Sequence, residues 1–361
     1  MSTTTETTYA HPGDHGRGGA AAPPLRLLFW ESTVRCNLRC AHCRRIETAD
    51  EAAREDLTTA EFSSVLDSAA ELGKPIIVFS GGEPLMRPDW QALADHARTL
   101  GLPTALATNG TLVDAALAGR IAEAGFRRVS VSLDGADAAT HDAFRRVEGS
   151  FGRALAGIAA LRGAGVPVQV NATIANHNVG QLDALYALVR SVGAEALHLF
   201  LLVPVGCGAE IEESHQLAPE TYERVLAWAL DRQAEGQLEL KATCAPHYYR
   251  LAAQRGVMPK HSRGCLCGVS VAFVSHKGDV FPCGYLPVQC GSVRRQSLAD
   301  IWRTSPVFVK LRDFEQLTGK CGQCEFKRVC GGCRARAFAL TGDYLASEPA
   351  CTYRPHARNA R

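Results

Sequence analysis

The stretch Cys36-Asn37-Leu38-Arg39-Cys40-Ala41-His42-Cys43 follows closely on an apolar run, LRLLFW at 25–30. The run reads as a strand, so the three cysteines fall in the loop at its C-terminal end, where α/β barrels carry their chemistry. Three thiolates spaced CxxxCxxC can hold three irons of a [4Fe–4S] cluster and leave the fourth iron open. An electron-transfer cluster usually closes that position with a fourth cysteine. The alternatives are a redox dithiol or zinc, which usually takes four protein ligands in two close pairs, and no such partner pair lies nearby in the sequence.

Outward from this loop, short apolar runs alternate with helical patterns as far as residue 235. The later runs are PIIVFS (75–80), PTALATNG (103–110), RRVSVSLDG (127–135), VPVQVNATI (166–174) and AEALHLFLLVP (194–204). They are continuous rather than alternating in polarity, as expected for parallel strands covered on both faces. Thr58 and Glu61 form a capping box, Phe62, Val65, Leu66, Ala69 and Leu72 share one helix face, and Gly73 then Pro75 stop that helix. Helical segments are also expected over 112–124, 151–164, 180–192 and 219–234. Six strand–helix units predict a partial, TIM-like (β/α)6 barrel, because right-handed crossovers curl such a sheet round. An open doubly wound sheet is the rival. No GxGxxG or GxxxxGK[ST] loop follows any strand, so dinucleotide and P-loop readings have no support.

The chain has 361 residues, enough for this barrel and a smaller module, and 14 cysteines. No apolar run is long enough to span a bilayer, and residues 1–24 lack an export signal and read as a disordered leader. The expectation is therefore a cytoplasmic protein whose cysteines serve metal or redox chemistry rather than disulfides. The formal net charge of +2 gives no reason to expect nucleic acid or a membrane surface. Three cysteines crowd into 36–43, none follows until Cys207, and most of the rest lie after Cys244. That distribution predicts two metal-bearing regions, the second in a module over 236–361. Cys207 reads as a buried thiol.

The CxxxCxxC loop resembles the signature of the radical S-adenosylmethionine superfamily. The resemblance implies that Cys36, Cys40 and Cys43 hold a [4Fe–4S] cluster. S-adenosylmethionine would chelate its open iron and, on one-electron cleavage, yield a 5′-deoxyadenosyl radical that removes a hydrogen atom from substrate. His42 occupies the place where that family often puts an aromatic residue against the cofactor. Ser80-Gly81-Gly82-Glu83-Pro84 resembles the family's GGEP motif, which implies contact with the methionine amino group; a carboxylate suits an ammonium, and glycines allow close approach. Ser132 and Asp134 match its ribose-contact positions. Thr108 and Asn109 end the third strand, and Asn171 or Thr173 the fifth, so they face the same mouth.

The C-terminal order resembles the SPASM extension of that superfamily, a small cysteine-rich domain with auxiliary [4Fe–4S] clusters. It runs from Cys265-Leu266-Cys267 through Gly278 and Cys283, then Cys321-x2-Cys324-x5-Cys330-x2-Cys333, to Cys351. On spacing alone a zinc ribbon is the alternative. The resemblance implies that Cys321, Cys324, Cys330 and Cys351 hold one cluster. Cys265, Cys283 and Cys333 would hold another, with Cys244, Cys267, Cys290 or an open site as fourth ligand. The strings Lys241–Arg250, Phe281–Leu286 and Cys330–Arg336 look like the branch containing the Fe-coproporphyrin decarboxylase of the alternative haem pathway and proteins related to haem d1 biosynthesis. That implies oxidative decarboxylation of tetrapyrrole propionates, an auxiliary cluster accepting an electron, and a ferredoxin or flavodoxin as donor. His247, Tyr248 and Arg250 are candidate substrate residues, or else packing between the domains. A ribosomal-peptide maturase, a decarboxylase or dehydrogenase of another acid such as a sugar acid, and an electron carrier or zinc scaffold remain as alternatives.

Overall fold

The computed structural model describes residues 22–44, 52–257 and 263–356. Most of the expected leader, 1–24, lies outside them. Six parallel strands carry the first part of the chain: β1 (Leu27–Glu31), β2 (Ile76–Ser80), β3 (Thr104–Thr108), β4 (Val129–Ser132), β5 (Val168–Ile174) and β6 (Ala196–Leu201). They pair in sequence order. Between them run α1 (Thr59–Ala70), α2 (Trp90–Thr99), α3 (Ala115–Glu123), α4 (Ala138–Arg145), α5 (Ser150–Gly163) and α6 (Leu182–Ser191). This is the expected partial α/β barrel with a cysteine-rich C-terminal region.

Local chemistry explains the elements. Thr58 Oγ1 accepts from Glu61 N at 3.2 Å while Glu61 Oε2 accepts from Thr58 N at 2.7 Å, the expected capping box. Asp114 and Asp137 cap α3 and α4 in the same way with one bond each. Along each strand every second side chain faces the helices. Leu28 and Trp30, Ile77 and Phe79, Val129 and Val131, Val170, Leu197 and Leu199 are all buried in one core with Phe62, Leu66, Ile121, Ile158 and Leu185 of the helices. Burying a side chain of this size contributes about 1.5–3 kcal/mol.

Beyond residue 235 the chain returns to this sheet at both edges. β7 (Glu239–Thr243) pairs parallel with β6, and β8 (Val271–Val274) pairs parallel with β1. An antiparallel ribbon, β9 (Asp279–Phe281) and β10 (Gly291–Ser292), extends the β8 edge, so the order is β10-β9-β8-β1-β2-β3-β4-β5-β6-β7. Among the described residues no helix is long and apolar enough to cross a membrane.

Candidate functional site

The cysteine loop after β1 is held from three sides. Gly82 N donates to Thr33 O at 2.8 Å and Glu83 N to Arg35 O at 2.7 Å, so the Gly-Gly segment after β2 runs as a rung against the chain entering Cys36. The close approach that the glycines permit is therefore to this backbone: a Cβ on Gly82 would stand 2.0 Å from Arg35 O. From β3, Asn109 Nδ2 donates to Asn37 Oδ1 and Asn37 Nδ2 to Thr111 Oγ1, both at 2.8 Å. From α4, Ala41 N donates to Phe144 O at 2.9 Å, and Arg145 Nη1 reaches Cys40 Sγ at 3.4 Å. Leu38 N also points at Cys36 Sγ, at 3.4 Å. Donors aimed at sulfur stabilise thiolates and suit cluster ligation.

Glu83 is fully buried. Its carboxylate accepts from Thr108 Oγ1 at 2.7 Å, Asn109 N at 2.8 Å and Leu85 N at 3.2 Å. Three donors leave one of roughly four acceptor positions for an ammonium. Burial outweighs those hydrogen bonds and pushes the Glu83 carboxyl up to about 7; a cation beside it would reverse that. Thr108 and Asn109 thus act through Glu83 and the cysteine loop.

Asp134 is also fully buried, and its acceptors are taken: Arg145 Nη2 lies 2.6 Å from Oδ2 and Thr173 N donates to Oδ1 at 2.7 Å. Burial works to raise its pKa, but the Arg145 guanidinium prevails and holds the carboxyl below the usual range. His42 Nε2 stands 3.7 Å from the same carboxylate, and its ring stacks on Phe144 with centroids 4.2 Å apart. Phe144 stacks in turn on His177 at 3.9 Å. Burial brings His42 down to about 3, so its ring is neutral. Ser132, at the end of β4, and Asn171 are register partners on the sheet face turned away from the helices. Arg145, Phe144 and His177 escaped the sequence reading; the one available signal was a basic residue ending a short polar segment.

Arg145 therefore links Cys40 to Asp134. Arg145→Lys keeps the charge but loses the fork geometry, and an outer partner of this kind is worth about 10-fold in metal retention or activity. Iron and sulfide per chain after anaerobic gel filtration will show that loss; unchanged retention would remove Arg145 from the site.

The C-terminal thiols form two groups. Cys321, Cys324, Cys330 and Cys351 line one cavity together with Gly332, His247 and Glu348. Gly332 N points at Cys330 Sγ at 3.4 Å and Glu348 N at Cys321 Sγ at 3.3 Å, again donors to sulfur. In the second group Cys267 hydrogen-bonds with both Cys265 and Cys283, and Cys244 with Cys333. Cys290 stands apart, its thiol against Val288 O at 3.7 Å. Both groups have the donor chemistry of cluster sites. Glu348 joins them: its carboxylate accepts from Cys333 N at 2.7 Å and its carbonyl from Cys351 N at 3.4 Å. Arg336, fully buried, fastens Glu348 to the barrel by donating to Leu201 O, Leu202 O and Cys244 O at 3.0–3.1 Å.

Burial bears on two expectations and corrects the second. His247, Tyr248 and Arg250 are 1%, 3% and 4% exposed. They open the helix His247–Gln254, where Arg250 pairs with Glu223, Tyr248 packs in the main core and His247 faces Glu348 and Tyr222. Helix geometry turns them inward, and His247 and Arg250 line the cavity of Cys321, Cys324, Cys330 and Cys351. Cys207 is only partly buried, and its backbone N–H donates to Cys43 O at 2.8 Å, so it braces the first loop.

The family model described as the Radical SAM superfamily matches residues 30–189, and one described as an iron-sulfur cluster-binding domain, SPASM, matches 265–325. The AdoMet-dependent heme synthase of Methanosarcina barkeri is 48% identical over 342 residues, 91% of this chain and 97% of that protein. The pre-heme d1 synthase of Dinoroseobacter shibae is 37% identical over 92% of this chain and 88% of its own length. Among solved structures, Streptococcus suis SuiB bound to S-adenosylmethionine superposes with a TM-score of 0.71 at 18% identity, over 92% of this chain and 78% of that one.

Proposed function

Because the chain belongs to the radical S-adenosylmethionine superfamily, in the SPASM-bearing branch that holds the AdoMet-dependent heme synthases, we propose that it oxidatively decarboxylates tetrapyrrole propionates, with Fe-coproporphyrin III as substrate. The observation that carries this reading is the 48% identity with one such synthase, which runs over 91% of the chain and so through both the barrel and the cysteine-rich region. When bound, the first cluster with S-adenosylmethionine supplies a carbon radical that takes one hydrogen atom, and the auxiliary clusters supply a sink for one electron. Loss of that hydrogen, carbon dioxide and one electron turns a propionate into a vinyl group.

The chain's residues fit these parts. Cys36, Cys40 and Cys43 are the ligands of the first cluster in this reading, and Arg145 stabilises the Cys40 thiolate. Glu83 offers a buried, otherwise uncompensated carboxylate to the methionine ammonium. His42, neutral and stacked on Phe144, presents a flat face beside the loop. Ser132 and Asn171 offer a hydroxyl and an amide to the ribose. Asp134 acts one step back, by holding Arg145. Cys321, Cys324, Cys330 and Cys351 hold one auxiliary cluster; Cys265, Cys283 and Cys333 hold the other, with Cys244 or Cys267 completing it. A ferredoxin or flavodoxin donates the electron in the cytoplasm.

Anaerobic turnover of reconstituted protein with dithionite, S-adenosylmethionine and Fe-coproporphyrin III tests the reading by mass spectrometry. The expected result is 5′-deoxyadenosine formed together with porphyrin lighter by carbon dioxide and two hydrogens for each vinyl group made. Deoxyadenosine without porphyrin conversion would leave the radical chemistry and remove the substrate.

A further inference from the structure

Side chains at odd and even strand positions face opposite sides of the sheet, and register partners face the same side. The register Ser132↔Asn171, Asn171↔His198 and His198↔Lys241 therefore places these four residues in one row across β4 to β7. Their strand neighbours Val131, Val170, Leu197, Leu199, Leu240 and Ala242 pack into the helix-covered core, so the row lies on the inner face of the barrel.

The charged residues that β1 to β8 place on that inner face are Glu31, Glu239 and Lys241. Both acids are paired: Arg44 Nη2 lies 2.9 Å from Glu31 Oε1 and Arg128 Nη1 3.0 Å from Glu239 Oε2. Lys241 differs. Partly buried, its ammonium makes no hydrogen bond or close ion pair among the described residues, and the Glu239 carboxylate that attracts it is already engaged by Arg128. Its row neighbour does not supply one. Gln169 Nε2 bonds Asn171 Oδ1 at 2.6 Å and His198 Nδ1 at 2.9 Å, which leaves the His198 proton on Nε2, directed at Glu239 Oε1 3.6 Å away. Burial lowers the pKa of both His198 and Lys241, which leaves the imidazole uncharged and the amine wanting an anion.

A partly buried cation whose neighbouring acid is already engaged is completed best by an anionic ligand. Elsewhere on the inner face Phe273, Phe29 and Val78 stand in register on β8, β1 and β2, with Arg44, held by Glu31, over the Phe273 ring at 4.3 Å. Apolar side chains on one part of this face and, on another, a cation not closely paired with an acid suit a flat apolar body with acidic arms. We infer that Lys241 binds a carboxylate of the substrate inside the barrel and positions that arm for hydrogen removal. Adjacent strands lie about 4.8 Å apart, so Lys241 stands about 10 Å along the row from Asn171, the reach of an acid side arm plus a sugar ring. This role rests on the tetrapyrrole reading above.

The test uses the reconstituted holoprotein and titrates Fe-coproporphyrin III and its tetramethyl ester by visible absorption. A charge-assisted hydrogen bond is worth about a 10- to 100-fold change in Kd, so Lys241→Met is expected to weaken binding of the acid by that factor. Lys241→Arg should restore most of it. The ester should bind wild type and Lys241→Met alike, a comparison that does not depend on the variant's stability. Iron content and dithionite-driven S-adenosylmethionine cleavage without substrate should stay at wild-type levels. Acid binding unchanged in Lys241→Met, with wild type converting the porphyrin, would overturn the inference and spare the proposed function. Wild type that neither binds nor converts the porphyrin would overturn both.

Discussion

Gly82→Ala is expected to abolish S-adenosylmethionine cleavage and to strip the first cluster from the protein. A Cβ at this position meets Arg35 O at 2.0 Å, Arg35 C at 2.6 Å and Val34 O at 2.8 Å. All three are backbone atoms and cannot rotate aside, so the two rungs joining Gly82 and Glu83 to residues 33–35 must open. Those residues lead directly into Cys36, and Glu83 is displaced with them. Iron analysis should show loss of one cluster's iron with the auxiliary clusters retained, and 5′-deoxyadenosine should fall by about 100-fold or more, the upper range for losing the shell that orients metal ligands. Gly119→Ala is the control: nothing lies within 4 Å of a Cβ there, in the middle of α3, and relief of helix glycine should stabilise by about 0.5–1 kcal/mol. A Gly82→Ala protein with full iron and normal cleavage would disprove the packing argument.

The second large effect is expected at Arg336. Its guanidinium spans Leu201 O and Leu202 O at the end of β6, Cys244 O after β7 and the Glu348 carboxylate at 3.4 Å, and it lies over the Tyr222 ring at 4.8 Å. Arg336→Met fills similar space but leaves Glu348, itself fully buried, without its cation. Removing one partner of a buried pair costs about 3–5 kcal/mol, which thermal unfolding of the anaerobic holoprotein will register. Because the penalty is an orphaned charge, Arg336→Met with Glu348→Gln should recover much of the loss. A double variant as unstable as the single one would show that the carbonyl contacts matter more than the pair.

How much of this could be read from the residues follows from what each segment packs against. The strands from 25 to 204 announced themselves by short apolar runs, although only the face toward the helices is apolar throughout: Ser130, Ser132, Gln169 and Asn171 line the other. The cysteine loop and the Gly-Gly-Glu turn were legible because few other sequences meet their geometric demands. α4 was not: in AATHDAFR the inward residues His141, Phe144 and Arg145 face a polar site, so no apolar stripe marks it. α2 was missed although its inward face, Trp90, Leu93, Ala94 and Ala97, is apolar; its Asp89 cap makes no side-chain bond, and polar residues interrupt the stripe. β7 and β8 are short, and their pairing with β6 and β1 depends on register across distant parts of the chain. For His247, Tyr248 and Arg250 the residues alone cannot decide, since a buried ion pair and a substrate contact use the same residue types. Lys241 sat inside a quoted string but gained meaning only from its inner-face row.

The placing of β8 beside β1 also sets a timetable for synthesis. Chains emerge N-terminus first, so β1 waits with an open edge, beside the cysteine loop, until Val271–Val274 has left the ribosome. An unpaired parallel edge is adhesive, and closing so long a loop is slow. The same late segment brings His276 Nδ1 to within 3.0 Å of Glu31, which holds Arg44, the residue next to Cys43. The frame of the first cysteine loop is thus finished only when residues 271–276 join it, so iron loading of that loop is expected after this edge of the sheet has closed.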